Sequence, residues 1–244
     1  MIQPITAAGM VFAVVAAVLP TGVAHCDDPI FSGPQVGEET TGFELMGVYD
    51  DKAGKNFDPI AEADGRPTLL IFVHKLTRPG FALTRGLAAY ADQVSEEKGY
   101  VAVAWLSDDK AEAEAFLNRA RKSLNLQVPL GISVDGGEGP GAYGLNRNVE
   151  LTILVAKDNR VTANFPLVQP SPAEAVKIAA EYAKALGIDP PTKETLQRIA
   201  FPQRPMRSMN RRRPANRPDT QRPAANGQSE KASGRPAADN PDAS

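Results

Sequence analysis

The stretch that most constrains this chain is Thr68–Arg85, TLLIFVHKLTRPGFALTR. It opens with an uninterrupted apolar, mostly β-branched or bulky run, Thr68–Val73, the pattern of a strand buried on both faces. A polar elbow follows, His74-Lys75-Leu76-Thr77-Arg78, and Pro79 marks the first turn of a helix, where its missing N–H costs nothing. A buried strand that feeds a helix through a short polar turn belongs to a layered α/β architecture, and α/β proteins place chemistry at such turns.

The remaining segments extend the same pattern. Phe43–Tyr49 alternates as a strand, followed by a turn at Asp50–Gly54. Asp58-Pro59 predicts a short capped helix to Ala63. On the helix from Pro79, Leu83, Leu87, Tyr90, Ala91 and Val94 share one face. Tyr100–Leu106 and Leu130–Val134 read as further buried strands. Between them lies a helix that starts with Asp109 and Glu112 as a capping box. Glu150–Ala156 and Val161–Val168 are two strands joined by the turn Lys157–Arg160, a loop length that permits an antiparallel pair. Ser171-Pro172-Ala173-Glu174 combines an N-cap, a Pro and a capping Glu for a last long helix that ends at Gly187. Strands separated first by helices and finally by a hairpin predict a mixed central sheet with helices on both faces, a three-layer α/β sandwich.

The expected organisation is residues 1–26 as signal peptide or N-terminal membrane anchor, 27–41 as linker, 42–188 as the folded domain, 189–200 as a short helix and 201–244 as a disordered tail. The wholly apolar Ala7–Leu19 is broken by Pro20 and followed by the small-x-small sequence Gly22-Val23-Ala24, which predicts export to the periplasm or extracellular space. Val23-Ala24-His25-Cys26 is similar to a lipoprotein box and makes Cys26 a candidate for lipidation. From Arg204 onward the chain carries nine basic and four acidic residues, leaving 18 basic and 25 acidic before it, so an acidic body bears a basic tail. That tail, centred on Arg211-Arg212-Arg213, is a candidate for holding an anionic envelope surface. It has no aromatic residues after Phe201 to stack on bases, which argues against sequence-reading of single-stranded nucleic acid.

Cys26 is the single cysteine, and His25 and His74 are the two histidines. An intramolecular disulfide, a Cys-x-x-Cys motif and a Cys-based zinc site are excluded, and no cofactor or metal is expected. Gly139-Pro140-Gly141-Ala142-Tyr143-Gly144 matches G-x-G-x-x-G, but the next strand follows too soon for the crossover helix a dinucleotide site needs. It reads as a turn-forming loop. The elbow is the candidate site. His74, Lys75, Thr77, Arg78 and Arg85 gather near a helix N-terminus, which could hold an anionic ligand or a protein partner.

Over Pro34–Gly187 this order resembles the thioredoxin-like fold, in the extended form of exported thioredoxins and peroxiredoxins. The resemblance rests on Leu69–Val73 before the turn, on Tyr143-Gly144-Leu145 followed by Leu151–Val155, and on Asp158-Asn159-Arg160-Val161 before the last strand. It implies that Thr77-Arg78-Pro79-Gly80 occupies the place of Cys-x-x-Cys, and that Val149-Glu150 occupies the place of a proline facing the thiols. Thiol–disulfide exchange needs a thiolate, which threonine and glycine cannot supply. The expectation is a redox-inactive binding or structural module of the cell envelope. The alternative is a thioredoxin- or peroxiredoxin-like oxidoreductase with an atypical, non-thiol site.

Overall fold

A computed structural model describes residues 29–200. The expected signal segment, Cys26 and the tail with Arg211–Arg213 lie outside the described residues. Seven strands and five α-helices follow one another as β1 (Leu45–Gly47), β2 (Asn56–Phe57), α1 (Pro59–Ala63), β3 (Thr68–Val73), α2 (Arg78–Ser95), β4 (Tyr100–Trp105), α3 (Lys110–Leu124), β5 (Leu130–Ser133), β6 (Leu151–Lys157), β7 (Arg160–Leu167), α4 (Pro172–Leu186) and α5 (Lys193–Ala200). The strands form one mixed sheet in the order β2-β1-β5-β4-β3-β6-β7. β3 runs parallel to β4 and antiparallel to β6, which places Val73, its last residue, opposite both Trp105 and Leu151.

β3 lies inside the sheet between β4 and β6, and all six of its residues are buried. Its side chains divide between two cores by the period-2 rule. Leu69, Ile71 and Val73 join Leu83, Leu87 and Ala91 of α2, Leu117 of α3, and Ile178 and Tyr182 of α4. Leu70 and Phe72 face the other way, with Phe43, Phe57, Ile60 and Tyr143. The first face carries the long helices and the second is covered by α1 and the chain between β5 and β6, which gives the expected three layers. Tyr182 of α4 bonds Ser95 Oγ at 2.5 Å, a buried tie between the end of α2 and α4. Gly99 leaves room for it, since a Cβ there would lie 2.4 Å from the Tyr182 hydroxyl.

Two features differ from the sequence reading, and a third gives an expected loop its form. β2 is an additional two-residue strand between the expected turn at Asp50–Gly54 and the helix at Pro59, formed by pairing with β1 rather than by its own propensity. The Gly-rich stretch, expected as a turn-forming loop, consists of two short 3-10 turns, Gly136–Glu138 and Gly141–Tyr143, the second of which buries Tyr143. Its ring packs 5.1 Å from Phe43 and 5.4 Å from Phe72, and its hydroxyl donates to Thr41 O at 2.9 Å. Finally, the part of the expected linker that is described is an ordered strap along the outer edge of β7. Gly37 N–H donates to Val161 O (2.8 Å), Val161 N–H to Glu38 O (2.9 Å) and Thr40 N–H to Asn159 O (2.9 Å). The strap covers part of an edge whose backbone groups would otherwise be open to another chain.

Candidate functional site

The elbow lies where β3 hands the chain to α2. Thr77 is the N-cap of α2, in extended conformation, and its Oγ1 accepts from Gly80 N–H at 3.2 Å. This satisfies one of the free amides of the first turn. Arg78 and Pro79 are the first two helical residues and are exposed, whereas Gly80 is buried. Lys75 is exposed and His74 half-buried. Leu76, Thr77, Arg78 and Phe81 line a shallow depression beside the cap. Arg85, one turn further along α2, is half-buried and does not line this depression.

The residue that completes the elbow comes from the far half of the chain. Glu150 precedes β6, and its backbone is fixed from both sides. Its N–H donates to Leu167 O (2.8 Å), and its carbonyl accepts from His74 N–H (3.0 Å) and Lys75 N–H (3.2 Å). So anchored, its side chain reaches the helix cap, where Thr77 Oγ1 donates to Glu150 Oε2 at 2.5 Å. A Cβ placed on Gly80 would lie 3.1 Å from Thr77 Oγ1, 3.6 Å from Glu150 Oε2 and 3.7 Å from Pro170 Cγ. The negative group at this helix N-terminus is therefore the protein's own carboxylate, favourably placed against the dipole. An external anion would have to displace it.

Next to this pair runs a second polar chain. His74 Nε2 lies 3.0 Å from Thr152 Oγ1, which lies 2.5 Å from Ser32 Oγ of the strap. Asn146 N–H donates to Ser32 Oγ at 3.0 Å. Thr152 and Ser32 are fully buried. Burial lowers the His74 pKa to about 4, with a smaller contribution from the Lys75 charge, so the imidazole is neutral at pH 7. His74 Nδ1 is buried with no hydrogen-bond partner among the described residues.

The structure thus brings Thr77, Gly80 and His74 together and leaves Lys75 and Arg78 facing solvent. Glu150, Thr152 and Ser32 were not singled out from sequence as members of this site. A signal existed for two of them. Thr152 is the polar interruption in an otherwise apolar strand, and Glu150 stands at the place the family resemblance marks as facing the thiols.

No protein-family model matches the chain, and no curated protein matches it in sequence. Solved structures do match. A Chlorobium tepidum protein described as a thiol:disulfide interchange protein of DsbE type is 16% identical, covering 63% of this chain and 99% of that one, with a TM-score of 0.51. An uncharacterized conserved protein from Geobacillus kaustophilus is also 16% identical, covering 67% of this chain and 90% of that one, with a TM-score of 0.50. The fold is thioredoxin-like. Within it, the first turn of α2 presents a hydroxyl, a glycine and a carboxylate, and the chain's single cysteine, Cys26, lies far before that turn in sequence.

Proposed function

We propose that this chain is an exported, redox-inactive thioredoxin-like module that binds a protein partner or serves a structural role in the cell envelope. The observation that carries this reading is the Thr77–Glu150 pair across the buried Gly80. Disulfide exchange requires a thiolate at the helix start, stabilised by free amides and positive potential. Here a carboxylate occupies that potential and a threonine hydroxyl occupies the cap. The apolar Ala7–Leu19 followed by Gly22-Val23-Ala24 supports export. A protein partner suits the elbow better than a free anion, because Glu150 already faces the helix end. Exposed Arg78 beside the partly buried Leu76 and Phe81 offers mixed apolar and charged contact.

The test is insulin reduction and peroxide consumption by the purified chain, with dithiothreitol as electron source. Neither rate should exceed that of the reductant alone. Turnover above that background, retained after Cys26→Ser, would overturn the reading in favour of a non-thiol oxidoreductase.

A further inference from the structure

One direction of the hydrogen bonds from the strap to His74 gives both hydroxyl protons an acceptor, and it makes the imidazole's Nε2 the acceptor. Ser32 Oγ accepts from Asn146 N–H, so its own proton must go elsewhere, and its acceptor among the described residues is Thr152 Oγ1. The Thr152 proton is then left with His74 Nε2. Nε2 is therefore the acceptor and Nδ1 carries the proton of the neutral ring. In this arrangement every donor from Asn146 to Thr152 is satisfied, and Nδ1–H is the one buried donor of the group without a partner among the described residues; protonation of Nε2 adds a second.

Protonation at Nε2 sets two donors against each other, N–H and the Thr152 hydroxyl. Thr152 must turn its proton toward Ser32, which then has nowhere to send its own. A buried unpaired hydroxyl costs free energy, and Ser32 lies in the strap, outside the strands and helices of the sheet layers. Other ties hold that segment. Asn164 Nδ2 donates to Ser32 O and Pro34 O, both at 2.9 Å, and Asn146 Nδ2 donates to Phe31 O at 3.2 Å. Gly33 packs on Thr152 and Leu145, with a Cβ position 3.3 Å and 3.5 Å from them. The charged groups around the ring are Lys75 on its own elbow and Glu150 at the start of β6. The Glu150 carboxylate is engaged by Thr77, while the strap and β6 face the ring with the hydroxyls of Ser32 and Thr152.

We propose that His74, Thr152 and Ser32 form an acid-sensitive latch, in which protonation of His74 releases the strap around Ser32 from Thr152 of β6 and Asn164 of β7. The latch is closed at neutral pH and opens in acid, while the central sheet stays intact. Release would lengthen the connection to the N-terminal segment and uncover Thr152 and Leu145.

The experiment is hydrogen–deuterium exchange of the full chain at pH 7 and pH 5, corrected for intrinsic exchange rates, with peptides covering residues 29–35 read against those of β3. Taking the ring from a pKa of about 4 when latched to 6.5 when released favours opening about 20-fold more at pH 5 than at pH 7. Partial solvent contact of the ring brings this toward roughly tenfold. The expected result is faster exchange of the strap by about that factor, unchanged β3 peptides, and loss of the pH effect in His74→Gln. Nitrogen-15 spectra of the wild-type histidines provide a second measurement that needs no variant, and should show His74 protonated on Nδ1 at neutral pH. Strap exchange independent of pH, a pH effect that survives in a folded His74→Gln, or a ring protonated on Nε2 at neutral pH would each overturn the latch.

Discussion

Replacing Thr77 by valine keeps the shape of the side chain and deletes the hydroxyl that both caps α2 and binds Glu150. The cap accepts one amide at 3.2 Å, from Gly80. Removing such a cap costs about 1 kcal/mol. The bond to the Glu150 carboxylate is short, 2.5 Å, and involves a charged acceptor. Such bonds contribute roughly 1.5–3 kcal/mol when buried, and a half-buried carboxylate that recovers water gives back part, leaving about 1 kcal/mol. Thr77→Val should therefore lower unfolding stability by about 2 kcal/mol, which for a domain of this size is a fall in Tm of roughly 4–8 °C. Urea unfolding should show a lower midpoint with an unchanged slope. Thr77→Ser, which keeps the oxygen, should stay within about 0.5 kcal/mol of the wild type. A double-mutant cycle with Glu150→Gln should return a coupling of about 1 kcal/mol. Full additivity of the two changes, or a loss below about 0.5 kcal/mol in Thr77→Val, would refute the reading of this pair as the organising contact of the elbow.

Three further outcomes are expected. His74 has its pKa lowered from 6.5 to about 4 on folding, so the stability tied to its neutral form is complete above pH 6.5 and is lost as pH falls toward 4. Allowing for its solvent contact, the loss from pH 7 to pH 4 is up to about 2 kcal/mol, and urea titrations should show this component missing in His74→Gln. Tyr182→Phe removes the partner of Ser95 but leaves Ser95 bonded to Ala91 O, and should cost about 1 kcal/mol in the same assay. Deleting Arg204–Ser244 removes a segment with five net positive charges. If that charge holds the chain to an anionic envelope surface, the truncated protein moves to the soluble fraction, and unchanged fractionation ends that reading.

The elements legible from sequence are those with strong local signals. β3 was readable because every one of its residues is apolar or β-branched. α2 and α4 carry Thr or Ser caps with Pro in the first turn, and the observed bounds follow those residues. β2 gave no such signal, because two residues have no periodicity and its pairing with β1 supplies the order. The strap is rich in Gly and Pro and reads locally as a tether. What orders it are Thr152 and Asn164, more than a hundred positions away, whose hydroxyl and amide meet Ser32 only after β6 and β7 have formed. The same holds at the elbow. Thr77 and Gly80 could be identified through the resemblance to the thioredoxin-like turn, but the reach of Glu150 depends on the register that sets Leu151 opposite Val73.

The placement of Glu150 also bears on how reversible the absence of sulfur is. A cysteine introduced at Gly80 would have its Cβ 3.6 Å from the Glu150 carboxylate oxygen. Its thiolate would face a like charge at close range, which disfavours ionisation where thiol chemistry requires it. A thiol introduced here would therefore ionise more readily with the carboxylate removed as well.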